Sequence, residues 1–504
     1  MNKWDLETDV VVAGYGASGG IAAVTAHDKG SRSIILEKAR YSGGCSVLSA
    51  GSIFIVQDIK NAVKYFTALS GNRVPAEVIQ AFAEGMARNS GLIKELVKVD
   101  QATFVTEPAD GLYPYPGSKN TFGTIWITKI EGFNGFPDIV STRNNGQMMF
   151  KVIMDNVESR KIPVLYSTRA KELIIDNSDG SIIGLRAESD NKIINIKAKQ
   201  GVVLACGGFE HNEWMKLQFF QGKPFYSIAP VNLTGDGIIM AQKVGAALWH
   251  MWLIHGSYGF KFDEYPVAFR VNLAGPRSLE RKIPWIVVDK HFRRYMNEYP
   301  PAPQDSCSRP MEVFDTDLLD YPRIPSYMIF DEAGRKHGPL AQPVGFTNEF
   351  NYSWSRDNLA EINRGWIIKA NSIKELGQNI RQYQKNADVD TSVLEDTIDS
   401  WNKSLQKKMD PLFNRPAGTM MPISSPPFYG VPVWPIITNT QGGPVHNARR
   451  QIVDSFGKVI PRLYSAGDMG SFFSHLYELG GNLGECFYSG SIAGTSVADE
   501  QPYI

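Results

Sequence analysis

An apolar run, Asp9-Val10-Val11-Val12-Ala13, leads straight into Gly14-Tyr15-Gly16-Ala17-Ser18-Gly19, a G-x-G-x-x-G pattern, and then into Ile21-Ala22-Ala23-Val24. Buried strand, glycine turn and helix in that order leave few folds open. Gly14 permits the tight turn, Gly16 lets main chain approach a pyrophosphate, and Gly19 lets the helix pack on the strand. The first turn of that helix, with Ala17 and Ser18, offers unsatisfied N–H groups and a positive dipole end to phosphates. A second strand, residues 33–36, runs into Glu37 and Lys38. Glu37 lies about 20 residues beyond the glycines, where an acidic side chain accepts a ribose hydroxyl. The pattern predicts an α/β, Rossmann-like domain that binds a dinucleotide.

A second loop of small residues follows at once, Ser42-Gly43-Gly44-Cys45-Ser46-Val47-Leu48-Ser49-Ala50-Gly51. Small residues let main chain lie against a flat or anionic ligand. A nicotinamide-binding domain does not need such a loop, whereas many flavoproteins with two dinucleotide-binding domains have one. Gly43, Gly44, Cys45, Ser46, Ser49 and Gly51 are therefore expected at the cofactor, with FAD as the expected dinucleotide. The loop holds no histidine for a covalent flavin bond, so the FAD is expected to be non-covalent.

Composition narrows the class further. Lys+Arg and Asp+Glu each total 52, for a formal net charge of zero. A nucleic-acid partner or a polybasic membrane patch is thus not expected. The 504 residues suggest two or three domains at about 150 residues each. Cys45, Cys206, Cys307 and Cys486 are scattered and form no C-x-x-C pair, so no metal site is expected. There is no apolar run of the length a membrane span needs. Residues 1–8 are too short and polar for a signal peptide, and a cytoplasmic location is the expectation.

Further blocks follow in order. Gly201-Val202-Val203-Leu204-Ala205-Cys206-Gly207-Gly208-Phe209 is a strand ending in a glycine turn, and Thr234-Gly235-Asp236-Gly237 opens a helix. Gly442-Gly443, then Tyr464-Ser465-Ala466-Gly467-Asp468, then Leu479-Gly480-Gly481-Asn482-Leu483-Gly484 complete the set. In this order the blocks resemble the fumarate reductase and 3-ketosteroid dehydrogenase superfamily of FAD enzymes, over essentially the whole chain. The helix predicted around residues 394–402 and the Asp410-Pro411-Leu412-Phe413 segment resemble it too. The resemblance implies a glutathione-reductase-type fold with two dinucleotide-binding halves and an inserted α+β capping domain. It also implies that Asp468 holds the ribityl chain, and that Asn482 and Leu483 sit at the pyrimidine edge of the flavin. Ala170, Gly207 and Asp236 are further cofactor positions on the same ground. A helix N-terminus there favours the negative charge that reduction brings.

The motifs place the FAD-binding domain at residues 1–252 and 430–504. The stretch 253–429, closed by Pro422-Ile423-Ser424-Ser425-Pro426-Pro427, is expected to be the capping, substrate-binding insert, able to exclude water from the reacting centre. Residues 151–200 are expected to alternate short strands with turns.

Dicarboxylate-reducing members carry an arginine before the Leu-Gly-Gly-Asn block, a histidine before the tandem glycine, and a proton-donating arginine after an R-F-x-N-E-like segment. The matching positions here are Glu478, Asn439 and, counting on from Arg294-Tyr295-Met296-Asn297-Glu298, Ala302. Fumarate chemistry is therefore disfavoured. Tyr477, four residues before Gly481, is similar to the Tyr-x-x-x-Gly pair of 3-ketosteroid dehydrogenases. The resemblance implies that phenol and glycine N–H form an oxyanion hole for an enolate while the neighbouring carbon gives up hydride. His475, close by, is a further candidate for substrate contact. The base is expected at Tyr299 or at Tyr115, in the Leu112-Tyr113-Pro114-Tyr115-Pro116-Gly117 loop, with Arg293 and Arg294 as cations that would lower a phenol's pKa.

The reading is α,β-dehydrogenation of a cyclic ketone, steroidal or cyclohexanone-type. Alternatives are an enone or enoate reductase running the reverse reaction, and a non-catalytic flavin-binding electron-transfer subunit. The electron partner is not identified, and no haem or iron–sulfur motif points to one.

Overall fold

The N-terminal apolar run becomes the middle of an eight-stranded sheet in a computed structural model that describes residues 3–137, 139, 144–273, 281–300, 308–345 and 351–503. The chain divides into two compact units. The first comprises Met1–Lys216, Ala229–Ile254 and Asn439–Ile504; the second comprises Leu217–Ile228 and His255–Thr438. Residues 217–228 belong with the second because Tyr226 and Ser227 pair with Ile436 and Ile437 of a long strand there.

In the first unit the strand Leu6–Ala13 lies between Lys192–Leu204 and Ser33–Leu36, parallel to both. Val459–Ser465 extends the parallel set beyond Lys192–Leu204, and Val164–Leu165 extends it beyond Ser33–Leu36. Val10 to Ala13 have no exposed surface, as a strand covered on both faces requires. The strand starts at Leu6, ahead of the expected Asp9, with a bulge between Thr8 and Val10.

The helix Ala17–Asp28 is buried almost all round. One side meets the helix Gly481–Ala498, where a Cβ on Gly490 or Gly494 would press against the Ser18 or Ala22 carbonyl. Another side meets the helix Asn145–Ser159 through Gly20 and Ile153. That helix corrects the expectation for residues 151–200. Phe150, Ile153 and Val157, with Met149 and Val152, bury one helical face, and the strands begin only with Val164–Leu165, Thr168–Ile175 and Ile182–Ser189. A small antiparallel sheet, Ile53–Val56, Phe122–Lys129 and Thr103–Ala109, and the helices Ile59–Leu69 and Ala76–Leu96 complete this unit.

The second unit is built on a seven-stranded sheet centred on Phe428–Thr440. Alternation sorts its residues cleanly: Val287, Met328 and Phe330 enter one core with Trp285 and Trp366, while Ile286, Val288 and Ile329 enter the other with Leu376, Leu394 and Trp401. The helices Ile373–Gln384 and Ser392–Gln406 supply the latter set. Among the described residues no helix is long and apolar enough to cross a membrane, and no group of His, Cys, Asp and Glu could hold a metal ion.

Candidate functional site

The three glycines of the first turn are glycine for different reasons. Gly14 has φ +104°, and a Cβ on it would strike the Ala205 carbonyl; a Cβ on Gly19 would strike the Gly14 carbonyl. Backbone packing demands both. At Gly16 the nearest protein atom to such a Cβ is Ser46 Oγ at 3.6 Å, so its face is open. The Tyr15 N–H donates to Glu37 Oε2 at 3.0 Å and the Ala39 N–H to Oε1 at 2.8 Å. Main chain thus aims the carboxylate while leaving lone pairs for hydroxyl donors. Burial pushes the Glu37 pKa up, opposed by those two bonds.

The second small-residue loop is tied to the first. The Gly43 N–H donates to the Tyr15 carbonyl at 2.8 Å, and the Ala17 N–H donates to Ser46 Oγ at 3.1 Å. Ser49 Oγ donates to the Ser46 carbonyl at 2.6 Å, while Gly44 and Gly51 keep positive φ. Cys45 carries a free thiol whose pKa burial and then Glu210 push well up, so it stays protonated.

Lys38 and Asp236 are brought together as partners. Lys38 Nζ donates to Asp236 Oδ2 at 2.9 Å, and Arg169 grips the same carboxylate at 2.9 and 2.7 Å. Both are expected at the cofactor, and their charged ends bind each other. Ala170 lies buried next to Arg169, in a strand whose first residue, Thr168, donates to the Glu37 carbonyl at 2.9 Å.

Around Asp468 the sequence reading missed a residue. Asn439 Nδ2 donates to Asp468 Oδ2 at 3.3 Å, and burial followed by Glu485 pushes the Asp468 pKa up to about 7. Gly207, at φ +70°, leaves room beside the same carboxyl. Glu210, 0% exposed, accepts from the Thr440 N–H at 2.7 Å through Oε1, and Oε2 has no partner among the described residues. Burial and then Asp468 push the Glu210 pKa up to about 8. No motif marks it; its only sequence signal was an acidic residue just past Gly207-Gly208-Phe209.

The helix Gly481–Ala498 starts after Gly480, whose φ of +78° ends the preceding turn, and no side chain caps it. The amides of its first turn are thus open to a ligand. Asn482 Oδ1 is buried without a partner among the described residues. The Gly481 N–H, however, donates to the Glu478 carbonyl at 2.9 Å. This corrects the oxyanion-hole expectation, because that amide is engaged in the turn and can reach a ligand only as a shared, three-centre donor.

Tyr477 is 4% exposed, its ring edge-on to Phe473 with centroids 5.1 Å apart. Glu478, 1% exposed, is held from two other elements. Tyr65 Oη donates a short hydrogen bond to its Oε2, and the Leu112 N–H donates to the same oxygen at 3.1 Å. The Tyr113 N–H in turn donates to Tyr65 Oη at 3.3 Å. Tyr115 is half-buried, stacked on Tyr113 at 6.1 Å and edge-on to Tyr65 at 6.3 Å. His475 packs against Gly71.

Tyr299 lies in the second unit, 2% exposed in its aromatic core, and its hydroxyl has no hydrogen-bond partner among the described residues. The cation expected beside it is spent elsewhere. Arg294 Nη2 pairs with Glu298 at 2.8 Å and Asp410 at 3.1 Å while its guanidinium lies 4.6 Å from the Trp401 ring centre. Arg293 is on the surface. Ala302 and Cys307 lie outside the described residues.

A family model described as an FAD binding domain matches residues 9–483. The chain belongs to that family. This flavoprotein is 26% identical to a 3-oxosteroid 1-dehydrogenase of Mycolicibacterium smegmatis, covering 98% of this chain and 97% of the relative. It is 27% identical to a urocanate reductase of Eggerthella lenta, over 98% of this chain and 75% of that one. Its fold matches a crystal structure of the 3-ketosteroid Δ1-dehydrogenase from Sterolibacterium denitrificans with a TM-score of 0.82 at 20% identity, covering 98% and 99% of the two chains. The cofactor is FAD and the chain is a flavin-dependent oxidoreductase of the fumarate reductase and ketosteroid dehydrogenase family. The residues fit that cofactor: an open glycine face at Gly16, an aimed Glu37 carboxylate, and the unpartnered Asn482 Oδ1 beside uncapped helix amides.

Proposed function

We propose that this chain catalyses α,β-dehydrogenation of a cyclic, largely apolar ketone, of the 3-ketosteroid or cyclohexanone type. The observation that carries the reading is a buried phenol, Tyr477, next to a carboxylate, Glu478, already saturated by Tyr65 and Leu112. A buried carboxylate rejects an anionic substrate, while a phenol donates to a neutral carbonyl.

Glu37 takes the ribose of FAD and the Gly16–Ser18 main chain its pyrophosphate. Asp468 takes the ribityl chain, and the amides of Asn482 and Leu483 take the ring edge. Bound there, FAD supplies a two-electron hydride acceptor. The chain's own residues handle the proton. Tyr477 Oη holds the ketone oxygen, so that negative charge forming there when a proton leaves the adjacent carbon is stabilised, and a second tyrosine, ionised to phenolate, takes that proton and becomes the neutral phenol. Tyr115 is favoured over Tyr299, because its loop is bonded to the residue beside Tyr477 within one unit. The products are the conjugated enone and reduced cofactor.

The experiment is anaerobic flavin bleaching with 4-androstene-3,17-dione, cyclohexanone and succinate side by side. The steroid or the cyclohexanone should bleach the flavin and succinate should not. Tyr477→Phe should retain FAD and bleach about 100-fold more slowly; an unchanged rate overturns the assignment. The relationship to a urocanate reductase favours a second reading, reduction of an enone or enoate. It predicts that photoreduced enzyme is reoxidised by enones while oxidised enzyme ignores saturated ketones. An electron-transfer subunit would show neither reaction.

A further inference from the structure

Glu478 is a costly residue to bury. A carboxyl with 1% exposure would lose its hydration without return unless partners replace it. Those partners come from far along the chain: Tyr65 from the helix Ile59–Leu69 and the Leu112 amide from the loop before Tyr113. The Tyr113 amide closes the figure on Tyr65 Oη at 3.3 Å, so one carboxylate and one phenol order two successive amides of the 112–117 loop. The loop also closes on itself, with the Gly111 N–H on the Ser118 carbonyl at 2.7 Å and the Ser118 N–H on the Tyr115 carbonyl at 3.1 Å. At the other end, the Glu478 main-chain carbonyl accepts from the Gly481 N–H at 2.9 Å, fixing the turn from Tyr477 into the helix Gly481–Ala498. Burial, and then Glu478 itself, push the Tyr65 pKa strongly up, so Tyr65 stays a donor over the whole working range.

The arrangement has a direction. Tyr65 donates a hydrogen bond to Glu478 and accepts one from the Tyr113 N–H, and the Leu112 N–H is shared between the two Glu478 oxygens at 3.3 and 3.1 Å. Aromatic faces lock the rest: Tyr65 lies edge-on to Tyr115 at 6.3 Å and to Phe122 at 5.1 Å. A Cβ on Gly111 would strike the Tyr65 ring, which leaves that ring no room to swing towards the loop.

We propose that Glu478, through Tyr65 and the Leu112 and Tyr113 amides, is a positioning residue that holds the Tyr115 loop in fixed register with Tyr477. It touches neither cofactor nor substrate; it makes two phenols from distant parts of the chain behave as one constellation. This rests on the ketone-dehydrogenation reading above. Registration of this kind matters because a misplacement of about 1 Å costs about 100-fold in rate.

The test uses the FAD-loaded full chain, with 4-androstene-3,17-dione as probe and anaerobic bleaching at saturation as the rate. Tyr65→Phe removes one hydroxyl and preserves ring packing; Glu478→Gln preserves shape and one acceptor oxygen. Each should keep its full complement of FAD, leave the probe concentration for half-maximal rate within about twofold, and lower the saturated rate about 10- to 100-fold. The double variant should be no slower than the slower single variant, because both break one network. Amide exchange should quicken at Leu112 and Tyr113 in both. Wild-type rates in Tyr65→Phe, or rates that multiply in the double variant, overturn the proposal. So does a fall in rate that merely tracks lost FAD. Failure of the parent reading is told apart by Tyr477→Phe: if that variant, or the wild type with every ketone, shows no catalytic effect, the reading falls and takes this inference with it. If Tyr477→Phe is slow and Tyr65→Phe is not, the inference alone falls.

Discussion

Glu210 has no exposed surface, and its pKa is pushed up to about 8 by burial and then by Asp468. The unfolded chain releases that proton near the ordinary carboxyl value of about 4.3. A folded-state pKa above the unfolded one gives stability that is present in full at low pH and lost as pH rises towards about 8. Asp468, pushed up to about 7, acts in the same sense, whereas His250, pushed down to about 4 by burial, acts oppositely below its unfolded value. The difference between wild type and Glu210→Gln isolates the one carboxyl. The wild-type apoprotein should lose Tm relative to the variant between pH 5 and 8, as read by thermal scans; parallel curves would mean that Glu210 is ionised throughout. The glycine turn offers a second contrast at this scale. Gly16→Ala meets nothing in the protein closer than 3.6 Å, so it should leave apoprotein Tm unchanged and weaken FAD at least tenfold in a fluorescence titration. Gly19→Ala drives a methyl into the Gly14 carbonyl and should lower both. If the two variants behave alike, the open face at Gly16 is not the pyrophosphate's.

The helices Ala17–Asp28 and Gly481–Ala498 pack through main chain rather than through large side chains, with Gly490 against the Ser18 carbonyl and Gly494 against the Ala22 carbonyl. Gly494→Val should therefore cost about 1–3 kcal/mol in denaturant unfolding, the usual range for overpacking. FAD retention should fall as well, since the first turn of the second helix presents Asn482 and Leu483; a stable variant with normal FAD affinity would show that the helix start is set independently of its packing. Elements of this kind were legible in the sequence because their signals are local. Strand, turn, helix and acidic residue lie within residues 9–37, and Thr234–Gly237 announces its helix by the same means. The helix Asn145–Ser159 is missing from the sequence expectation, although Phe150, Ile153 and Val157 keep its period, because the turn residues Asn177-Ser178-Asp179-Gly180 extended a strand-and-turn pattern back to residue 151. Lys38 and Asp236 are expected at the cofactor, and their pairing with each other and with Arg169 was not legible because the three lie far apart in the chain and Arg169 belongs to no motif.

At the scale of the molecule, the residues expected at the cofactor all fall in the first unit, while the second has its own two cores on either face of one sheet. Adding FAD to apoprotein should slow amide exchange at residues 14–20, 37–51, 465–468 and 481–484 and leave the strand Ser326–Asp331 unchanged; protection confined to that strand would misplace the cofactor. The part of the site that escaped the sequence is the part built from distant chain. Tyr65 and Glu478 are 413 residues apart, and Leu112 and Glu478 are 366 apart, so no spacing rule joins them. Tyr299 is expected as a base by position, but the charge meant to activate it pairs with Glu298 and with Asp410, 116 residues away along the chain. The same long-range closure has a bearing on engineering. An arginine introduced at Glu478 would take the acceptor away from the Tyr65 hydroxyl and the Leu112 amide and put a buried cation in its place. That single-codon change should therefore be destabilising unless Tyr65 and the 112–117 loop change with it, as thermal scans of Glu478→Arg alone and combined with Tyr65→Phe would read.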